Sequence, residues 1–365
     1  MRAVEADHTR TPSPRQRWIV SNLVVIGIAV SSSVATQFAK ATQDDFGDAV
    51  QSPLFMTWSA TLFNLFLAVP AVVQICLRNE AGLLVACRHK LLLPGSWAFT
   101  HAGFQRRAFA LYLFWLASNY SYQYALKLAP TGLVASLMST TPAYVAAASV
   151  VFLARPVGRL AWFAVCVSIV GSLLVVEPWR SARSASTGGE MFTGLLLAVV
   201  AALGATAYKI TFKCVFGEPP PEVVGVVLAW VGVYAATVGT AWLCILLHFE
   251  WESVVWSRLP WHSLIPGILS SLVYNFLIGW GIAISDPLFI SLGAVLGVPL
   301  NAYADWMLRR ILPDAVQAGG IACILLGFFM LLYADMVRSS ASQASDRPWQ
   351  QGMSQAQLMD PQVQA

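Results

Sequence analysis

The sequence predicts an all-α membrane protein with ten transmembrane helices in two inverted five-helix repeats, and three observations lead to this fold class. Hydrophobic residues make up 57% of the 365 residues and charged residues only 11%, whereas soluble domains carry about 25% charged residues. Apolar stretches long enough to cross a bilayer recur along the whole length. Finally, the spacing Asn119–Pro130–Pro142 returns almost unchanged as Asn275–Pro287–Pro299.

Each predicted span is an apolar stretch of about 20 residues, the length that crosses the hydrocarbon core. In chain order the ten spans are Trp18–Ala39, Leu54–Leu77, Ala108–Leu126, Thr131–Leu153, Arg159–Val176, Met191–Phe212, Glu222–His248, His262–Ile284, Pro287–Leu308 and Ala315–Tyr333. A tight turn at Ser285–Asp286 must separate the eighth span from the ninth.

A Ser/Gly-rich linker at 181–190 divides the spans into five and five. An odd number of spans in each half turns the second half upside down relative to the first, which is the inverted repeat of many secondary transporters. The predicted organisation is an N-terminal tail at 1–17, repeats at 18–180 and 191–338, and a disordered C-terminal tail at 339–365, rich in Ser, Gln and Pro.

Charge patterning predicts that both termini are cytoplasmic. Most of the 22 Lys and Arg residues fall on the side of the N-terminus, and short cytoplasmic loops are enriched in these cations. The particular membrane (Golgi, vacuolar or plasma) stays open. The cations are spread over loops on both sides, so we expect no nucleic-acid partner.

Two matching spans carry amides near their centres. Asn119, Tyr122 and Gln123 share one face of the third span, and Tyr274 and Asn275 lie on the eighth. A buried amide needs a hydrogen-bond partner, which a substrate or another helix can supply. These five residues are therefore candidates for the wall of a substrate cavity, or polar contacts that hold helices together.

Pro142 and Pro299 lie near the centres of the fourth and ninth spans and are the predicted hinges. Each proline removes a backbone donor and obstructs a carbonyl at mid-membrane. Thr140, Tyr144 and Asn301 lie beside these prolines and complete the candidate cavity wall. The alternative for both prolines is a simple structural kink.

Three charged residues are further candidates. Lys209, with Lys213 as a secondary candidate, could attract an anion at the inner mouth of a cavity, or both could extend to the interface. Asp305, also secondary, lies four residues before Arg309, which suggests an ion pair. The alternative for Asp305 is a role in proton coupling or cation attraction.

Three stretches resemble subfamily F of the solute carrier 35 family, within the drug/metabolite transporter superfamily: NYSYQYALKLAPTGLVASL, AYKITFK and ISDPLFISLGAVLGVPLNAYAD. The resemblance implies a carrier of a small polar organic solute that works by alternating access, with Asn119, Lys209 and Lys213 in the wall of its site. Relatives in the wider family carry nucleotide sugars, and thiamine is the solute proposed for this branch. Where the subfamily is expected to have an Asn-Lys pair, this chain reads Thr141–Pro142.

The predicted function is therefore membrane transport of a thiamine-like vitamin or a nucleotide sugar, and the alternative is a non-transporting receptor or scaffold. No catalytic or metal-binding motif is present in the sequence, so we expect neither an enzyme, nor a cofactor, nor a metal site. The expected partners are the solute and the lipid bilayer, and a homodimer is left open.

Overall fold

The structure is a computed structural model that describes residues 14–46, 52–70, 73, 102–179, 189–219, 221–310 and 312–359. The regular elements of these ranges are helices. In chain order they are α1 (Pro14–Phe46), α2 (Pro53–Leu62), α3 (Ala102–Leu128), α4 (Thr131–Met138), α5 (Thr141–Phe152), α6 (Arg159–Val176), α7 (Gly189–Phe216), α8 (Pro221–Tyr234), α9 (Thr240–His248), α10 (Trp261–Ile284), α11 (Pro287–Val295), α12 (Gly297–Arg309) and α13 (Ala315–Met359).

In the described part of the chain, nine helical stretches are long and apolar enough to cross a membrane. The prediction of an all-helical, multi-pass membrane protein is therefore confirmed. The predicted third span is also a helix, α3, of 27 residues. It is not among the nine because Arg106, Arg107 and the polar residues around Asn119 lower its hydropathy, so the count of ten spans stays a prediction.

Irregular turns interrupt four of the predicted spans. The fourth breaks at Ser139–Thr140 between α4 and α5, and the ninth breaks at Leu296 between α11 and α12. A 3-10 turn at Phe63–Leu67 follows α2, and a π turn at Ala235–Gly239 joins α8 to α9. The first two breaks lie within three residues of Pro142 and Pro299, which cannot donate a backbone hydrogen bond.

The packing of the helices repeats when the two halves of the chain are exchanged. Helix α1 packs along α10, and α7 packs along α3. Helix α1 also contacts α11 and α12, while α7 contacts α4 and α5. Predicted spans of the same order in the two halves meet as well: span five meets span ten through α6 and α13, span four meets span nine through α5 and α11, and span two meets span seven through the 3-10 turn after α2 and α8.

Helices α6 and α13 approach closely at a pair of glycines. A Cβ atom on Gly171 would lie 2.7 Å from the carbonyl oxygen of Gly320, and one on Gly320 would lie 2.6 Å from that of Gly171. No real Cβ tolerates such distances, so any larger residue at either position must push the two helices apart. Small residues that permit close backbone approach are typical of helix interfaces in membranes.

Helix α13 differs from the prediction at its C-terminal end. It is 45 residues long and continues to Met359, across most of the segment predicted to be disordered. Pro348 and Gly352 lie within this polar stretch, which is otherwise rich in Ala, Gln and Ser. The 1–13 part of the N-terminal tail, the 181–188 part of the linker and 360–365 lie outside the described residues.

Candidate functional site

The two matching asparagines have different partners. Asn119 donates from Nδ2 to the carbonyl of Trp115 in its own helix at 2.9 Å and is half-buried. Asn275 is buried and donates from Nδ2 to Oδ1 of Asn64, 3.3 Å away, at the 3-10 turn after α2. Asn275 therefore links two helices, whereas Asn119 leaves its amide oxygen available.

Two tyrosines bring the halves of the chain together near these amides. Tyr122 on α3 and Tyr274 on α10, one from each half of the chain, lie near each other. Tyr122 packs against a small cluster formed by α3, α4 and α7. Both rings, together with Gln123 and Tyr144, keep part of their surface accessible. Partly accessible polar groups in the middle of apolar helices are typical of a cavity wall.

Hydroxyl groups satisfy the backbone around Pro142. Thr141 Oγ1 donates to the carbonyl of Met138 at 2.6 Å, and this is the carbonyl that Pro142 leaves without an N–H donor. Thr140 Oγ1 donates to the carbonyl of Leu137 at 2.6 Å. The break between α4 and α5 is thus a satisfied turn, and these two hydroxyl protons are already used.

Lys209 on α7 ends inside the protein. Its side chain is 9% exposed, and Nζ donates to Ser291 Oγ on α11 at 2.9 Å. No carboxylate of the described residues pairs with it, and Ser291 is itself neutral and donates to the carbonyl of Pro287 at 2.8 Å. An ammonium buried with one neutral partner is costly, so an anionic ligand there would gain a strong interaction.

Lys213, one turn further along α7, has a structural set of partners. Its Nζ donates to three carbonyls at the C-terminal end of α10, those of Ile282, Ala283 and Ser285, at 3.0, 3.1 and 3.1 Å. It also lies 3.6 Å from Oε1 of Glu218. A cation at a helix C-terminus compensates the unpaired carbonyls. The partners of both ammonium groups lie within the protein.

Asn301 and Asp305 face α1. Ser33 Oγ donates to Asn301 Oδ1 at 2.9 Å, and Gln37 Nε2 donates to Asp305 Oδ1 at 3.1 Å. The side chain of Arg309, the partner predicted for Asp305, lies outside the described part. Both residues therefore take part in contacts between α12 and α1.

The candidates do not form one cluster. Those on α3 and α10 lie close together, and Lys209 reaches α11 from α7. Lys213 lies at the end of the bundle where α10 ends, called the Lys213 end below. The opposite end of the bundle contains Glu252, in the segment 249–260 between α9 and α10, and is called the Glu252 end.

Three buried polar groups become evident only in the structure. Glu252 is 4% exposed and accepts hydrogen bonds from α2 and α3. The Nδ2 of Asn64 and the hydroxyl of Tyr208 are buried without a hydrogen-bond partner in the described part of the chain. A single amide or hydroxyl in an apolar stretch does not reveal whether it is paired. Nothing in the sequence around Glu252 distinguishes it from the neighbouring Glu250.

Apolar spanning helices with buried polar groups between them define a multi-pass membrane protein. No family model matches the chain. Human (Homo sapiens) solute carrier family 35 member F3 is 27% identical over 315 residues, which is 85% of this chain and 72% of that protein. Mouse (Mus musculus) solute carrier family 35 member F4 is 25% identical over 316 residues, 85% of this chain and 62% of that protein.

A riboflavin transporter of Vibrio cholerae is 22% identical over 191 residues, 52% of this chain and 59% of that protein. One crystal structure of a protein superposes on 86% of this chain and 96% of its own with a TM-score of 0.62 and 17% identity, which shows a shared fold. The predicted resemblance to subfamily F of the solute carrier 35 family is confirmed by these curated relatives.

Proposed function

We propose that the chain is a carrier with ten spans in two inverted five-helix repeats, the drug/metabolite transporter fold. It moves a small polar organic solute by alternating access through a central cavity between the repeats. The single observation that supports this most is the recurrence of the packing pattern, in which α1 meets α10 and α7 meets α3. These are spans one with eight and six with three, equivalent pairs under an exchange of the two halves.

Such an exchange is what a pseudo-two-fold axis in the membrane plane produces. The remaining contacts agree with it, because α6 with α13 joins span five to span ten, and α5 with α11 joins span four to span nine. Two halves related in this way can adopt two arrangements of similar energy, one open to each side. Broken helices at the matching prolines supply the places where the backbone can bend.

The central cavity in this proposal is lined from both halves. Asn119, Tyr122 and Gln123 contribute from α3, and Tyr274 contributes from α10. Lys209 contributes from α7. The further members are Thr140 just before α5, Tyr144 on α5, Asn275 on α10 and Asn301 on α12. Asn275 and Asn301 already have protein partners, so their contribution depends on exchanging these for the solute.

The environment of Lys209 favours a negatively charged solute. A cation such as a thiamine-like vitamin would be repelled by the unpaired ammonium, and the phosphates of a nucleotide sugar would pair with it. The aromatic faces of Tyr122 and Tyr274 offer the stacking surface that a base or a thiazolium ring would need. The riboflavin named for the bacterial relative would use the same stacking surface without a charge at neutral pH.

Counterflow uptake in proteoliposomes tests this proposal. Vesicles are preloaded in turn with thiamine, riboflavin or a nucleotide-sugar mixture, and uptake of the labelled solute is compared with that into empty vesicles. We expect uptake with nucleotide sugars, and a loss of about tenfold or more in Lys209→Gln and Asn119→Ala. Leu196→Ala on the lipid-facing side of α7, where the side chain is 55% exposed, is the matched control.

If thiamine is taken up and Lys209→Gln does not change that uptake, the solute is not an anion that pairs with Lys209. The proposal that the protein is a carrier would still hold. Binding of a solute without uptake, by protein shown to be folded, would replace the carrier by the receptor alternative. Single-cysteine labelling at Glu218 and Glu250, which lie at opposite ends, tests the proposed cytoplasmic location of both termini. We expect Glu218 to be labelled from the cytoplasmic side and Glu250 from the other side. The reverse result, or labelling of both from the same side, would contradict the topology.

A further inference from the structure

A buried carboxylate joins three elements at the Glu252 end. Glu252 Oε2 accepts from the hydroxyl of Ser52 and from the backbone N–H of Leu54, the latter at 3.1 Å. Its Oε1 accepts from the hydroxyl of Tyr120 on α3 at 3.2 Å. Ser52, Leu54 and Glu252 are each at most 4% exposed. These four residues are called the Glu252 clasp below.

The clasp connects the two proposed repeats. Glu252 belongs to the second repeat, while Ser52 and Leu54 start α2 and Tyr120 lies on α3, all in the first repeat. Tyr120 lies between Asn119 and Tyr122 in the sequence, so the clasp and the proposed cavity wall share the same part of α3.

Other hydrogen bonds between the repeats accompany the clasp at this end. Thr42 Oγ1 donates to Ser263 Oγ at 3.0 Å, and Trp58 Nε1 donates to Thr240 Oγ1 at 2.9 Å. The contacts of Asn301 and Asp305 with α1 also join the repeats. The side chains of the two repeats are thus bonded together at several places on the same side of the cavity wall.

Fewer such bonds connect the repeats at the Lys213 end in the described part of the chain. Arg155 and Asp286 form an ion pair of 3.6 Å whose side chains are 41% and 24% exposed. Tyr234 donates to the side-chain Oε1 of Gln105 at 2.5 Å, and its hydroxyl lies 3.2 Å from the backbone carbonyl oxygen of the same residue. The bonds of Lys213 stay within the second repeat. An exposed ion pair adds little free energy, so the stronger connection is at the Glu252 end.

We propose that Glu252 is the latch of a gate at this end: the clasp holds the repeats together, and its release opens the central site on that side. The inference rests on the alternating access proposed above. A carboxylate that accepts three hydrogen bonds in a dry site loses them when the repeats separate, and only entering water can replace them. The clasp therefore favours the closed arrangement that the structure adopts.

Hydrogen–deuterium exchange of the protein in lipid nanodiscs tests the latch without any solute. Glu252→Gln keeps the size of the side chain but replaces one acceptor oxygen by a donor that faces Tyr120 or the pair Ser52 and Leu54. We expect exchange in the first turns of α2 and in 249–260 to become about tenfold faster. Glu250→Gln, an exposed residue of the same segment, is the matched control and should leave exchange unchanged.

A disulfide bond in place of the neighbouring contact between Thr42 and Ser263 shows whether the faster exchange comes from opening of the Glu252 end. Thr42→Cys with Ser263→Cys, oxidised in the Glu252→Gln protein, should return exchange in α2 to the wild-type rate, and reduction should restore the fast rate. Tyr120→Phe, which deletes one donor and no charge, should give a smaller increase in the same segments. It keeps the test available should Glu252→Gln fold poorly.

Unchanged exchange in both Glu252→Gln and Tyr120→Phe would overturn the latch. So would faster exchange spread evenly over all helices, or no recovery on oxidation, because either result would give Glu252 a general structural role. Absence of counterflow with every solute would contradict the proposed function but not the latch. The hydrogen–deuterium exchange experiment needs no solute, because it measures the opening of the Glu252 end directly.

Discussion

The two ends of the bundle use charged residues in different ways. At the Glu252 end a buried carboxylate accepts three hydrogen bonds from the other half of the chain. At the Lys213 end a buried ammonium donates to carbonyls of its own half, and the ion pair between the halves is partly exposed. A buried charged residue therefore does not always connect the two halves of the chain. Whether it does depends on which half contains its hydrogen-bond partners.

The same lesson applies to the two lysines one turn apart on α7. Lys213 has three carbonyl partners and is part of the framework, whereas Lys209 has one neutral partner and remains able to bind an anion. Their spacing alone suggests a common role. The surroundings, supplied by α10 and α11, divide the pair into a structural residue and a candidate binding residue.

The largest expected effect concerns the Glu252 end. Glu252→Gln should lower the free energy of unfolding by about 3 kcal/mol, because three charge-assisted hydrogen bonds are replaced by weaker neutral ones. The measurement is SDS-induced unfolding in mixed micelles, with Glu250→Gln as the exposed control. Equal stability of the two variants would remove the contrast between the ends.

Lys213→Met should lower the free energy of unfolding by about 2 kcal/mol, since the C-terminal carbonyls of α10 lose their donor. Lys213→Arg keeps the charge and the N–H groups and should recover most of this loss. The same unfolding assay applies. A stable methionine variant would mean that water replaces the ammonium at this helix end.

Lys209→Met should change stability in the opposite direction and raise the free energy of unfolding by about 1 kcal/mol. The substitution removes a buried charge that has no counter-charge among the described residues and keeps most of the apolar volume. Ser291→Ala tests the remaining hydrogen bond separately. A large destabilisation by Lys209→Met would assign Lys209 to the framework together with Lys213.

The smallest effect is expected for the ion pair at the Lys213 end. Arg155→Ala should change the free energy of unfolding by about 0.5 kcal/mol, and high salt should remove that difference. Asp286→Asn is a less suitable probe because Asp286 also accepts a hydrogen bond from the backbone N–H of Leu288 at the start of α11. If Arg155→Ala lowers the free energy of unfolding as much as Glu252→Gln does, the two halves are connected equally strongly at both ends.

The sequence predicts the helices well because long apolar stretches and proline act locally. The breaks between α4 and α5 and between α11 and α12 lie next to Pro142 and Pro299, where a missing N–H interrupts the helix regardless of tertiary context. Helix α3 shows the limit of hydropathy. Its polar residues lower the hydropathy of a helix that packs along α7 inside the bundle.

The site is less predictable because its partners are distant in sequence. Glu252 meets Ser52 across 200 positions and Lys209 meets Ser291 across 82, and no spacing rule relates residues so far apart. The C-terminal part of α13 shows a further limit. The polar composition that predicts a disordered tail also includes Ala and Gln, which are good helix formers.

Helix α13 has a geometric consequence outside the membrane. At about 1.5 Å per residue its 45 residues measure nearly 70 Å, more than twice the hydrocarbon thickness of about 30 Å. The candidate span Ala315–Val337 uses only the first part, so the rest forms a rod of about 30 Å beyond it. A fluorophore at Met359 would therefore report distances from well beyond the lipid headgroups, on the side of the membrane where the last span ends.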